Sequence, residues 1–153
     1  MNNGLGDTYC KQMGQELAVV LADTYTLYLE AQYFHWNVTG KDFKVLHEAF
    51  EDLYNDLSEA VDEIAERIVQ LEHRAPGTFK EFSDLSSIDI PAEVPEAMDM
   101  VTKLVDDIDA FNGRLRRLNE KTDEAADDAT NDMIAGRIQK QEKTAWMLRS
   151  MLK

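Results

Sequence analysis

Apolar residues recur along this chain at steps of three and four, and nowhere does a convincing alternation of period two appear. That spacing marks one buried helical face rather than strands, so the chain is expected to be all-α. Four long runs carry the pattern. The first places Leu17, Val20, Leu21, Tyr28, Ala31 and Phe34 on one side and stops at Gly40, in the chain reversal "NVTGKD". The second continues for about eight turns through Phe43, Leu46, Phe50, Leu53, Leu57, Val61, Ile64, Ile68 and Leu71, and ends before "HRAPGTF". The third runs from about Pro95, a residue favoured at helix starts, through Val101, Leu104, Ile108, Phe111, Leu115 and Leu118. The fourth runs from about Asp127 through Ile134, Ile138, Ala145, Leu148 and Leu152.

Connection lengths turn these runs into a topology. Only a few residues join the first run to the second and the third to the fourth, so each pair is an antiparallel hairpin. Between the hairpins lie roughly twenty residues, "RAPGTFKEFSDLSSIDIPAEVP", with room for one short helix around "SDLSSI". A crossover of that length returns the chain along the bundle. The result is a ferritin-like four-helix bundle whose long crossover carries a short helix between the second and third helices. A chain of 153 residues suits a single domain over 1–153.

Charge and composition narrow the chemistry. Thirty acidic against 16 basic residues leave a net charge of −14, which disfavours polyanions and favours cations as partners. The longest apolar run, "LAVVLA", is too short to span a bilayer, and "MNNGLGDTYCKQ" has neither the basic start nor the apolar core of a signal peptide. A soluble, cytoplasmic protein without a membrane role is therefore expected. Cys10, the only cysteine, excludes an internal disulfide and a thiolate-based metal cluster.

The chain has three histidines, and two of them stand twelve residues apart: His35 in "LEAQYFHWNVTG" and His47 on the second helix. At about 100° per residue, His47, Glu51, Asp62 and Glu66 share one shoulder beside the apolar stripe, as two i, i+4 pairs. Imidazole with carboxylate suits iron, zinc or manganese, although solvated shoulder residues would show the same spacing. The Glu-x-x-His motif of the usual di-iron bundle is missing, since Gln32, Lys44 and Gln70 stand three before the histidines, so no site within one subunit is expected. Residues 47 and 62 lie about 22 Å apart on a continuous helix, whereas an ion reaches its ligands at about 2 Å. Either the two pairs are unrelated, or two chains meet head to tail across a two-fold axis and join them twice, with His35 completing each set. His73 has no acid at ligand spacing and reads as a helix-end or surface residue.

The stretch "HWNVTGKDFKVLHEAFEDLY" followed by "DEIAER" resembles the Dps proteins, the mini-ferritins named as DNA-binding proteins from starved cells, and the resemblance covers nearly the whole chain. Its specific part is the pair of histidines twelve apart with acids four, fifteen and nineteen residues after the second. The resemblance implies that the ferroxidase ligands are His35, His47, Glu51, Asp62 and Glu66, with Glu51 standing where many members carry Asp. It implies a dodecameric shell that binds iron, two ions per site, between two-fold-related chains, oxidises it preferably with hydrogen peroxide, and stores ferric mineral. Trp36 then serves as a local reductant or radical trap, or simply as a packing anchor. Asp123, Asp128 and Asp132 in "KTDEAADDATNDMIAG" match acids that line the iron-entry pore of similar proteins, though acids at a helix start also answer its dipole. Glu48, Asp52, Glu59 and Glu63, on the opposite face of the second helix, fit mineral nucleation or plain solvation equally well.

DNA compaction is the alternative function that the family carries, and a purely structural bundle is a third reading. Relatives that bind DNA do so through a lysine-rich tail, whereas Lys11 is the only basic residue between Met1 and Gly40. The cations of the fourth helix, Arg137, Lys140, Lys143, Arg149 and Lys153, complement its dipole and suit acids on neighbouring subunits. Direct DNA binding is accordingly not expected.

Overall fold

The computed structural model describes residues 4–153, so the first three residues of the expected domain lie outside the described residues. Helices α1 (Asp7–Asn37) and α2 (Phe43–Gln70) form one hairpin, and α4 (Ala97–Glu124) and α5 (Asp128–Met151) form the other. The short α3 (Phe79–Leu85) lies on the crossover and packs against α1, and no strand occurs among the described residues. The arrangement is the all-α, ferritin-like bundle that the periodicity and connection lengths predict.

Helix α1 begins ten residues before Leu17, because Met13 is buried and Tyr9 packs against the core. It touches α2, α3 and α4, so its buried positions run around the helix instead of forming one stripe. Helix α2 keeps its stripe: Leu46, Phe50, Leu53, Leu57, Ile64 and Ile68 are all buried. Across from them lie Leu104, Ile108, Phe111, Leu115, Ile134 and Leu148 in the same cluster. Each such side chain contributes about 1.5–3 kcal/mol by leaving water.

Several expectations shift at the edges. Phe43 belongs to no core and is 45% exposed, and Leu152 falls past the end of α5 at 40%. Pro95 stands before the cap of α4 rather than in its first turn, since Glu96 is the extended N-cap residue. The crossover helix starts earlier than "SDLSSI" because Thr78 and Glu81 form a reciprocal capping box ahead of Phe79. His73 does stand at a helix end, its amide bonding the Ile68 carbonyl at 3.2 Å just past the cap of α2, but it is half-buried there: a Cβ on Gly14 would stand 2.6 Å from the His73 Cβ. The glycine lets α1 pass the end of α2 at close range.

Charged groups inside the bundle set its layout. Asp23, fully buried in α1, accepts hydrogen bonds from Ser86 Oγ at 3.0 Å and the Ser87 amide at 2.6 Å, and pairs with Arg114 Nε at 3.2 Å. One carboxylate thereby fastens the crossover to α1 and α4, and takes Ser86 and Ser87 out of any helix. Two turns along, buried Glu30 has Lys103 Nζ 3.2 Å away, out of line for a hydrogen bond, and shares its environment with Asp107. Burial, then Asp107, push the Glu30 carboxyl up to about 8, against the opposing pull of Lys103. Folded Glu30 thus holds its proton at neutral pH.

An acid whose folded pKa is raised contributes stability that is complete below its unfolded value and is lost as pH rises through the folded one. Stability should therefore fall between about pH 5 and pH 8, and Glu30→Gln, which fixes the neutral form, should flatten that slope. Urea midpoints of both proteins across this range measure it, and parallel slopes would contradict the assignment.

Candidate metal centre

The α1–α2 turn brings the end of one helix beside the start of the next, with Gly40 at φ +104° reversing the chain. Across this hairpin His35 and His47 exchange hydrogen bonds. His35 Nδ1 donates to the carbonyl of His47 at 2.8 Å, and His47 Nδ1 donates to the carbonyl of His35 at 2.9 Å. A carbonyl oxygen can only accept, so both Nδ1 atoms carry hydrogen and both Nε2 atoms of the neutral rings keep a free lone pair. The rings stack with centroids 3.7 Å apart and planes within 21°, which sets the two imidazoles side by side.

Glu51, one turn beyond His47, completes the group: one ligand atom from each of His35, His47 and Glu51 lies within 4.8 Å of the others. His35 is buried, and His47 and Glu51 are half-buried. Aromatic walls hold the imidazoles. Phe43 lies 5.0 Å from His47, and Tyr54 meets His35 edge-on at 5.2 Å. Burial, then the Glu51 carboxylate beside it, raise the Tyr54 phenol above its ordinary value. Two imidazoles and a carboxylate form the donor set that suits iron(II) with coordination positions left open. Backbone acceptors behind each imidazole are the outer partners that orient such ligands.

Asp62 and Glu66 do not join this group within the chain. Both are exposed on the same shoulder of α2, about 22 Å from His47 in the case of Asp62. Trp36 follows His35 near the end of α1 and is 62% exposed. Asp123, Asp128 and Asp132 are exposed around the α4–α5 junction. Asp127, between them, is drawn inward: it accepts from Tyr9 Oη at 2.9 Å and pairs with Arg67 Nη2 at 2.7 Å, while capping α5 through the Thr130 amide. Burial pushes its carboxyl up, but the bonds from Thr130 and Tyr9 and the charge of Arg67 prevail and hold it low. Glu48, Asp52, Glu59 and Glu63 are exposed, and Glu48 faces Lys44 at 3.9 Å. Sequence reasoning missed Tyr54 as a wall of the site. Its place at i+3 from Glu51 and i+7 from His47, on one helical face, was the available signal.

His47→Ala deletes one imidazole but keeps the backbone carbonyl that orients His35. Cobalt(II) affinity, followed by its visible absorption, should drop at least about 10–100-fold, the range for losing even an outer partner of a metal ligand. Unchanged binding would remove His47 from the donor set.

The ferritin-like domain family matches residues 15–153. The chain is 36% identical over 142 residues to DNA protection during starvation protein 2 of Bacillus anthracis, covering 93% of this chain and 97% of that one. It is 34% identical over 142 residues to General stress protein 20U of Bacillus subtilis (strain 168), covering 93% and 98%. Among solved structures, the Dps protein of Vibrio cholerae O1, described as a member of a broad superfamily of ferritin-like diiron-carboxylate proteins, matches with TM-score 0.94 at 31% identity, over 97% of this chain and 94% of that one. Dps from Staphylococcus aureus matches with TM-score 0.90 at 34% identity, over 94% and 96%. A fold of this kind supports iron oxidation and storage in general, and no described helix is long and apolar enough to cross a membrane. With the fold, the histidine pair and these relatives in agreement, the chain belongs to the ferritin-like proteins and, within them, to the Dps family.

Proposed function

We propose that this protein is a ferroxidase of the cytoplasm that oxidises iron(II) with hydrogen peroxide at sites shared by two-fold-related subunits. The ferric product is stored as mineral inside a dodecameric shell. The observation that carries this reading is the trio His35, His47 and Glu51, with both Nε2 lone pairs free and ligand atoms within 4.8 Å, and with the next acids of the same helix shoulder far from it. Asp62 and Glu66 of a two-fold-related copy complete the set, so that each site holds two iron ions as substrate. Two iron(II) ions give peroxide both of its electrons: the O–O bond breaks, two hydroxides form, and no hydroxyl radical leaves. The carboxylates of Glu51, Asp62 and Glu66 favour the more highly charged iron(III) product. Trp36, beside the site, acts as a local reductant or radical trap. Exposed Asp123, Asp128 and Asp132 guide iron(II) inward, and Glu48, Asp52, Glu59 and Glu63 nucleate mineral.

Shared sites make a specific demand on mixed assemblies. Shells of His47→Gly alone or Asp62→Ala alone should oxidise iron(II) slowly with peroxide. Shells co-assembled from both variants should recover a fraction of intact sites, following the mixing ratio, as read by ferric absorbance in stopped flow. No recovery at any ratio would rule out the shared arrangement.

Direct DNA binding has little to draw on. Three of the cations of the fourth helix are engaged within the chain: Arg137 and Lys140 both pair with Asp56, and Arg149 pairs with Asp109. Against a net charge of −14, few cations remain to displace the counterions of a duplex. Plasmid DNA at physiological salt and near-neutral pH, with chelator present, should migrate unshifted in a gel. Retardation at moderate protein concentration would favour DNA compaction instead.

A further inference from the structure

The bundle buries three carboxylates among the described residues, Asp23, Glu30 and Asp127, and one of them is treated differently. Asp23 is met by serine and arginine donors, and Asp127 by tyrosine, threonine and arginine donors. Glu30 has no exposure at all, yet neither its Oε1 nor its Oε2 accepts a hydrogen bond. A buried acid in that state is costly and needs a reason. Its neighbours lie on α4. Lys103 Nζ stands 3.2 Å from Glu30 Oε1 and bonds Asp107 Oδ2, one turn along the same helix. Asp107 is near enough to push the Glu30 carboxyl up further than burial alone does.

A cation is thus already placed between two acids from two helices. Burial works against the Lys103 ammonium, but the bond to Asp107 and the nearby Glu30 prevail and hold it charged. The Lys103 side chain is 30% exposed and that of Asp107 17%, while Glu30 is closed off, so the pocket meets water only past the end of a flexible stem. Charge counting says what else fits there. Protonated Glu30, ionised Asp107 and charged Lys103 sum to zero. With Lys103 swung into solvent and Glu30 ionised, the two carboxylates are cancelled by one doubly charged ion. A monovalent ion would leave a negative charge buried, and a trivalent one a positive charge. Donors that are all oxygen suit a hard ion such as magnesium or manganese(II).

We propose that Glu30 and Asp107 form a second cation site, inside one chain, that takes a hard divalent ion in exchange for the Lys103 ammonium. The ion sits between α1 and α4, held by both carboxylates, with water completing its shell. Lys103 turns outward, and the proton of Glu30 passes to water as the ion enters. The exchange conserves charge: one divalent ion goes in, and one proton and one ammonium come out. Five residues separate Glu30 from His35, which sets them about 140° apart around α1. The site therefore does not draw on the histidine pair. It goes beyond the ferroxidase reading and does not depend on it.

The test titrates the full-length assembled protein with manganese(II) and reads the free ion by electron paramagnetic resonance. The wild type should bind one more ion per chain than Glu30→Gln, and Asp107→Asn, a change at a half-buried position, should lose the same ion. Lys103→Met keeps the packed stem and removes the competing charge, so it should tighten this binding at least about tenfold. Equal numbers of bound ions in the wild type and Glu30→Gln, or an affinity that Lys103→Met does not raise, would overturn the proposal and leave Lys103 as a structural bridge. Wild-type crystals soaked in manganese(II) give a check that needs no substitution. Anomalous scattering should place an ion between Glu30 and Asp107, with Lys103 displaced. Anomalous density confined to His35, His47 and Glu51 or to exposed acids would equally overturn it. Iron oxidation enters neither measurement, so the ferroxidase reading stands or falls separately.

Discussion

Two hydrogen bonds exchanged between His35 and His47 couple the architecture of this protein to its chemistry. Each imidazole donates to the backbone of the other residue, so the bonds fix how far α1 has slid along α2 as firmly as they fix the rings. A shift of α1 by one residue would rotate His35 by about 100° and break both bonds at once. The same bonds choose the tautomer, and with it which nitrogen atoms face outward as donors. Few side-chain contacts serve register, ring orientation and tautomer together, and here they leave Glu51 the single turn of helix it needs to join the pair.

Buried charge organises the rest of the bundle. Asp23, Glu30, Asp127 and Arg137 all lie inside it, and each bridges elements that helical periodicity alone would leave free to slide. Isolated ions in such places would be costly, and the chain meets that cost in different ways. Asp23 and Asp127 are surrounded by donors and cations, Glu30 gives up its charge by keeping its proton, and Arg137 pairs with Asp56 across α2 and α5. These contacts specify position more than they add net stability. The Asp127 cluster ties the start of α1, the end of α2 and the start of α5 to one point.

Helix number, hairpin pairing and most core positions were legible in the sequence because they follow from periodicity and from loop length, both local properties. His35, His47 and Glu51 were legible as a group because a short loop and an i, i+4 step confine them. The start of α3 is written in "TFKE" as a capping box, whereas the more polar "SDLSSI" covers only the end of that helix and the residues after it. The inward acids could not be told from solvated ones, since Asp127 and Asp128 are neighbours of identical chemistry, and only the Arg67 and Tyr9 waiting in space separate them. Phe43 and Leu152 continue an apolar pattern past the point where a neighbouring helix exists to cover it. His73 stands at the helix end expected of it, and only its half-burial was hidden, because its partner is Gly14, a residue without a side chain to announce a contact.

The pairing of basic side chains within the chain has a consequence for the water around it. Arg116, Lys121, Arg137, Lys140 and Arg149 each lie against a carboxylate of the same chain, so the electric field beyond the surface is set by the acids left over. Ions distribute in such a field according to the exponential of their charge, so a potential that doubles the local density of a monovalent cation quadruples that of a divalent one. The protein is therefore surrounded by an atmosphere selective for doubly charged ions before any ligand is reached. That selectivity has no geometry and no lock. It thins as ionic strength shortens the Debye length from about 10 Å at 0.1 M towards about 3 Å at 1 M.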